Sequence, residues 1–130
     1  MIKHDLIIFT GAPGSGKTTV SELLQKDLDS PLIDFGNLRI FHLDREWKKA
    51  NDREELMSFE NLVFILKNYI RNGYKNVIIN DLKDDKALKL AKIFSRRKTA
   101  LVRWSFVMKN YVKGLSTLKG IVVLGTLNVP

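Results

Sequence analysis

The 130-residue chain is long enough for one hydrophobic core, and 45% hydrophobic with 28% charged residues is the composition of a folded globular protein. Global disorder is excluded, no apolar run approaches the roughly 20 residues of a membrane span, and the lack of cysteine excludes disulfides and thiolate metal sites. The net charge of +8 is uneven: all fourteen Asp and Glu lie between Asp5 and Asp85, whereas residues 86 to 130 hold ten Lys and Arg and no acid. A basic half can serve nucleic-acid binding, but a solvated face or phosphate-binding residues explain it more simply, so a nucleic-acid partner is not expected.

Leu6 to Thr10 reads as a buried strand, too short for a signal-peptide core, and a cytoplasmic location is expected. After a Gly-rich loop, Val20, Leu23, Leu24 and Leu28 recur at helical spacing until Asp29-Ser30-Pro31 breaks the helix. Leu32-Ile33-Asp34-Phe35 predicts a second strand ending at Gly36. Asp52 and Glu55, at capping-box-like spacing, open a long helix with Phe59, Leu62, Val63, Leu66, Tyr69 and Ile70 on one face and Gly73 as its stop. Val77-Ile78-Ile79 is the third strand, Ala87, Leu88, Ala91 and Phe94 mark the next helix, and Thr99 to Val102 is a fourth strand. This alternation implies an α/β fold: three layers, α-β-α, around a parallel central sheet.

The segment Gly11-Ala12-Pro13-Gly14-Ser15-Gly16-Lys17-Thr18 fits the pattern of glycine, four residues, glycine, lysine and serine or threonine, and Thr19 continues it into the helix. Its glycines permit a tight loop whose backbone N–H groups face phosphate oxygens, aided by the positive end of the helix that follows. Lys17 can reach the β and γ phosphates of ATP, and the Thr18 hydroxyl suits Mg²⁺.

Asp81, at the carboxyl end of the third strand, is placed to hold Mg²⁺ through water; the alternative is a cap for the helix starting near Asp84. Asp34, at the end of the second strand, can accept a proton from an acceptor hydroxyl or cap a loop. Arg39 can fork onto an acceptor phosphate or carboxylate, or be a surface arginine. His4 and His42 lack metal-ligand spacing and read as surface or satisfied polar residues, and Trp47 and Trp104 read as packing groups.

With the loop, "IDFGNLR" after the second strand and "VIINDL" as the third, residues 1 to 103 resemble the P-loop nucleoside- and nucleotide-kinase-like ATPases, the adenylate- and shikimate-kinase-like group. The resemblance implies ATP binding by Gly11 to Thr18, magnesium at Thr18 and Asp81, and an acceptor-side role for Asp34 and Arg39. It further implies transfer of the γ-phosphoryl of Mg-ATP to a small acceptor. Asn37 stands where adenylate-kinase relatives carry an aspartate, so the acceptor need not be a nucleotide. Competing readings are a nucleotide hydrolase, with water as acceptor, and a non-catalytic nucleotide-dependent binding module.

Residues 104 to 130 differ in kind, and the fold is expected to be incomplete there. They form a basic tail without the arginine-bearing lid that the resemblance implies, although Ile121 to Leu124 could add a strand. Codons compatible with Lys119 to Leu127, read in another frame, give Arg-Asp-Ser-Gly-Phe-Arg-Asn-Val, which looks like such a lid. An out-of-frame tail is therefore expected, with a short, divergent kinase-like chain as the alternative.

Overall fold

The computed structural model of the chain describes residues 4–11 and 17–104. Four strands, β1 (Leu6–Gly11), β2 (Leu32–Asp34), β3 (Val77–Leu82) and β4 (Thr99–Trp104), form one sheet of order β2-β3-β1-β4. Every adjacent pair is parallel, with Leu6 opposite both Val77 and Thr99, and Leu32 opposite Ile78. The helices are α1 (Lys17–Leu28), α2 (Phe35–Ile40), α3 (Asp52–Arg71) and α4 (Asp84–Ile93).

The strands read as continuous apolar runs because helices cover both faces of the sheet. Side chains alternate along β1. Leu6 and Ile8 join Val77, Ile79 and the apolar sides of α2, α3 and α4. Ile7 and Phe9 join Ile78, Ala100, Val102 and Leu24 of α1 on the opposite face. The three-layer parallel architecture expected from the sequence is therefore present. Among the described residues no helix is long and apolar enough to cross a membrane.

Three local expectations change. The second strand stops at Asp34, and Phe35 opens a short helix instead of ending the strand; Phe35 and Leu38 bury into the core one helical turn apart, and six residues are too few to show a period. The cap of α3 is Asn51, not Asp52: the Asn51 side chain accepts the Glu54 N–H at 2.9 Å, which moves the helix start back one residue. In α4, Leu88 faces solvent and Leu90 takes the core position beside Ala87 and Ala91. Gly73 does follow the end of α3, at a φ of 83° that favours glycine.

Candidate functional site

Helix α1 leaves β1 for one face of the sheet and α4 leaves β3 for the other, so a crevice opens between the carboxyl ends of β1 and β3. Strand β1 delivers Gly11 to that crevice at a φ of 150°, which side-chain-bearing residues rarely adopt. Residues Ala12 to Gly16 and the side chains of Lys17 and Thr18 lie outside the described residues, while Thr19 is exposed in the first turn of α1. The approach to the loop is fastened by Thr10. Its buried hydroxyl lies 2.6 Å from Asp84 Oδ1 and 3.1 Å from the Leu82 carbonyl oxygen, tying β1 to the start of α4.

Asp81 owes its position to a bulge. Ile8 pairs with Ile79 but Thr10 pairs with Leu82, so β3 spends one more residue than β1 over the same interval. The extra residue returns Leu82 to the core that holds Ile79 and leaves Asp81 exposed at the sheet edge, with a φ of 66°. Asp81 N–H donates to Asn80 Oδ1 at 2.8 Å, and Asn80 Nδ2 donates to Ser21 Oγ at 3.2 Å, which anchors this edge to α1.

The bulge brings Asp81 to Asp34, two strands' ends meeting over Gly36. A Cβ on Gly36 would stand 2.7 Å from Asp81 Oδ2 and 3.1 Å from Asp34 Oδ1, so only glycine lets both carboxylates close over this point. Burial and then the charge of Asp81 raise the Asp34 pKa above the ordinary aspartate value, and the N–H groups of Asn37 and Gly36 offset this only in part. Of the two converging carboxylates, the exposed Asp81 suits a hard divalent cation, and Asp34, held unfavourably as an anion, suits a proton. Among the described residues no cluster of three or more His, Asp or Glu supplies further ligands. Additional oxygens would come from the loop and from water.

Replacing Gly36 with alanine is expected to leave stability within about 1 kcal/mol, because the atoms in the way are carboxylate ends that can swing aside and alanine gains helix propensity. The same swing displaces Asp81, the carboxylate suited to magnesium and the nearest to the new methyl group. A magnesium titration of the variant should show weaker support of nucleotide binding at an unchanged melting temperature; unaltered magnesium dependence would remove Gly36 from the site.

Arg39 is not a free surface arginine. Its Nε lies 3.0 and 3.1 Å from the two carboxylate oxygens of Glu54, and its Nη2 donates to Glu54 Oε2. The guanidinium carbon also sits 4.8 Å from the ring centre of Trp47. Glu54 is buried at 7% exposure and takes two further partners: His42 Nε2 at 3.0 Å and the Ser58 hydroxyl at 3.2 Å. The hydrogen bonds from Arg39, against burial and with help from His42 and Ser58, lower the Glu54 pKa to about 2. His42 is thus a satisfied polar residue, as expected, whereas Trp47 is exposed and offers its ring face to Arg39 instead of packing into the core.

Sequence reasoning missed Glu54. The available signal was its register: Glu54, Ser58, Leu62 and Leu66 fall at four-residue steps on the buried side of α3, so the apolar stripe runs into two polar residues that need partners.

A cavity of about 200 Å³ adjoins these groups, lined by Gly11, Phe35, Arg39, Asp81, Lys83 and Lys86 among others. The structure therefore gathers Asp34, Asp81, Arg39 and the root of the loop at one sheet edge. Lys86 is partly neutralised by Glu55 at 3.4 Å. The cavity offers cations for an anionic group and the carboxylates of Asp81 and Glu55; Asp34 does not line it and meets the site where it converges with Asp81 over Gly36.

No protein-family model matches the chain, and no curated protein is similar to it in sequence. Solved structures do match. A provisionally named kinase from Chloroflexus aurantiacus superposes with a TM-score of 0.55 at 19% identity over 96% of this chain and 73% of its own. An unliganded sugar kinase from Janibacter superposes with a TM-score of 0.57 at 14% identity, over 94% of this chain and 80% of its own. At these identities the likeness shows the fold, and the chain has the parallel three-layer fold of those two proteins.

Proposed function

We propose that the chain binds Mg-ATP through Gly11 to Thr18 and transfers the γ-phosphoryl group to a small hydroxyl-bearing acceptor. The observation that carries this reading is the shared sheet edge: a phosphate-loop sequence enters α1 where Asp34 and Asp81 converge over Gly36. The loop N–H groups and Lys17 hold the phosphates, and Thr18 with Asp81 holds magnesium. Magnesium, when bound, supplies charge neutralisation for the phosphates. Burial raises the Asp34 pKa and is the cause that remains once magnesium occupies Asp81, which makes Asp34 a better proton acceptor than an ordinary aspartate. The acceptor oxygen forms a bond to the γ phosphorus, the bond to the bridging oxygen breaks, ADP departs, and the hydroxyl proton passes to Asp34.

Arg39 fits the acceptor side, because Glu54 and Trp47 hold its guanidinium at the wall of the cavity. An arginine fixed in advance loses little entropy on binding an anionic group. The kinase names of the two structural neighbours agree with this reading. The arginine-bearing lid implied by the resemblance and the expected out-of-frame tail both concern residues after Trp104, which lie outside the described residues.

The test is product analysis by phosphorus NMR with a panel of small hydroxylated acids, polyols and nucleosides. A kinase gives ADP and a phosphorylated acceptor only when the acceptor is present. ADP with inorganic phosphate at the same rate without acceptor would establish a hydrolase instead. Lys17→Ala should weaken Mg-ATP binding at least about tenfold by removing a cation that faces the phosphates, read by calorimetry.

A further inference from the structure

At the opposite edge of the sheet, α3 and α4 end side by side around an open cleft of about 490 Å³. Lys67 and Arg71 line it from α3, and Arg96 and Arg97 from the turn after α4. Its apolar floor includes Ile70, Ile93 and Phe94. Among the described residues no carboxylate lines the cleft, and none of its four cations forms an ion pair. Asp5, whose charge reaches Arg97, is already held by Lys75 at 2.7 Å and by the Lys98 N–H at 3.1 Å.

A basic residue in the last turn of a helix complements the helix dipole. One per helix satisfies that role, and Arg71 and Lys92 fill it here. Lys67, Arg96 and Arg97 are therefore surplus to the dipoles, and four like charges in one cleft repel one another.

We propose that this cleft binds a polyphosphate-bearing small molecule. Three arginines offer planar forks that match successive phosphate groups, and Lys67 adds a mobile point charge. The volume lies within the usual range of small-molecule sites, and the concave apolar floor suits a compact body attached to the phosphates. A nucleic-acid surface would instead present cations along an extended tract. The cleft lies at the amino-terminal edge of the strands, away from the phosphate loop, so its occupancy is independent of the proposed transfer site.

The experiment titrates the full 130-residue chain with sodium tripolyphosphate and, separately, with ADP, both without magnesium, and follows backbone amide NMR shifts and melting temperature. Shifts at residues 67–71 and 93–97 are expected in addition to any at 11–19, and should persist in Lys17→Ala. Arg71→Gln with Arg96→Gln should weaken binding at the cleft at least about tenfold while raising the melting temperature of the anion-free chain, because repulsion is relieved. A merely structural role for these arginines would lower that temperature. Tighter binding of ADP than of tripolyphosphate would assign the floor to a nucleoside, and equal binding would assign recognition to the phosphate chain alone. Shifts confined to residues 11–19, binding untouched by the double substitution, or tighter binding of a short single-stranded RNA spread beyond the cleft would overturn the proposal.

Discussion

Asp34→Asn is expected to lower phosphoryl transfer by about 10² to 10⁴ while Mg-ATP affinity changes little, that range being what a positioned general base contributes. The substitution preserves shape and removes the proton acceptor. It also removes one of two carboxylates that repel each other over Gly36. An acid whose folded pKa is raised destabilises the folded state wherever it is ionised, so above the folded pKa the asparagine chain should melt at a higher temperature than the parent when magnesium is left out. Gain of stability with loss of turnover is the signature of a strained functional group. Loss of both would reassign Asp34 to capping α2 through the Gly36 and Asn37 N–H groups that face its carboxylate. The measurement is a steady-state assay with the acceptor found by product analysis, paired with calorimetric melting.

The fold was legible in the sequence because its signals are long. Val77-Ile78-Ile79 and Leu6 to Phe9 are uninterrupted apolar runs, and the face of α3 repeats over 20 residues. Asp34 and Asp81 could be placed at strand ends by counting alone. Their convergence could not, since it depends on an extra residue in β3 that appears only when β1 and β3 are paired. The exposure of Leu88 has the same origin: one helical turn contains both Leu88 and Leu90, and the sheet decides which is buried. Arg39 illustrates the limit most sharply. Its partner Glu54 is fifteen residues away and belongs to another helix, α2 itself being too short to announce itself. Neither residue type nor spacing ties them. What the sequence did contain was a polar interruption of the buried stripe at Ser58 and Glu54.

Glu54→Gln tests that network through stability. The buried carboxylate has a folded pKa of about 2, well below the ordinary glutamate value of 4.5, a depression worth at most roughly 3 kcal/mol at neutral pH. Because the folded value is the lower one, this contribution is present in full above the unfolded pKa and declines as pH falls from about 4.5 towards 2. Glutamine keeps a hydrogen-bonding oxygen but leaves the Arg39 guanidinium, 15% exposed, without its counter-charge. A loss of about 2 to 4 kcal/mol is expected at pH 7, within the range for breaking a buried pair, and it should shrink steadily below pH 4.5 as the parent loses the same interaction. Arg39→Ala should be destabilising in the same way by stranding Glu54, yet leave Mg-ATP affinity nearly unchanged, since Arg39 lines the acceptor cavity and not the loop. Urea unfolding of all three chains between pH 3 and 7 reads the effect directly. A Glu54→Gln deficit constant over that range would mean that the loss comes from packing around Trp47 and Ser58, and the charge pair would then have no special role in holding α2 against α3.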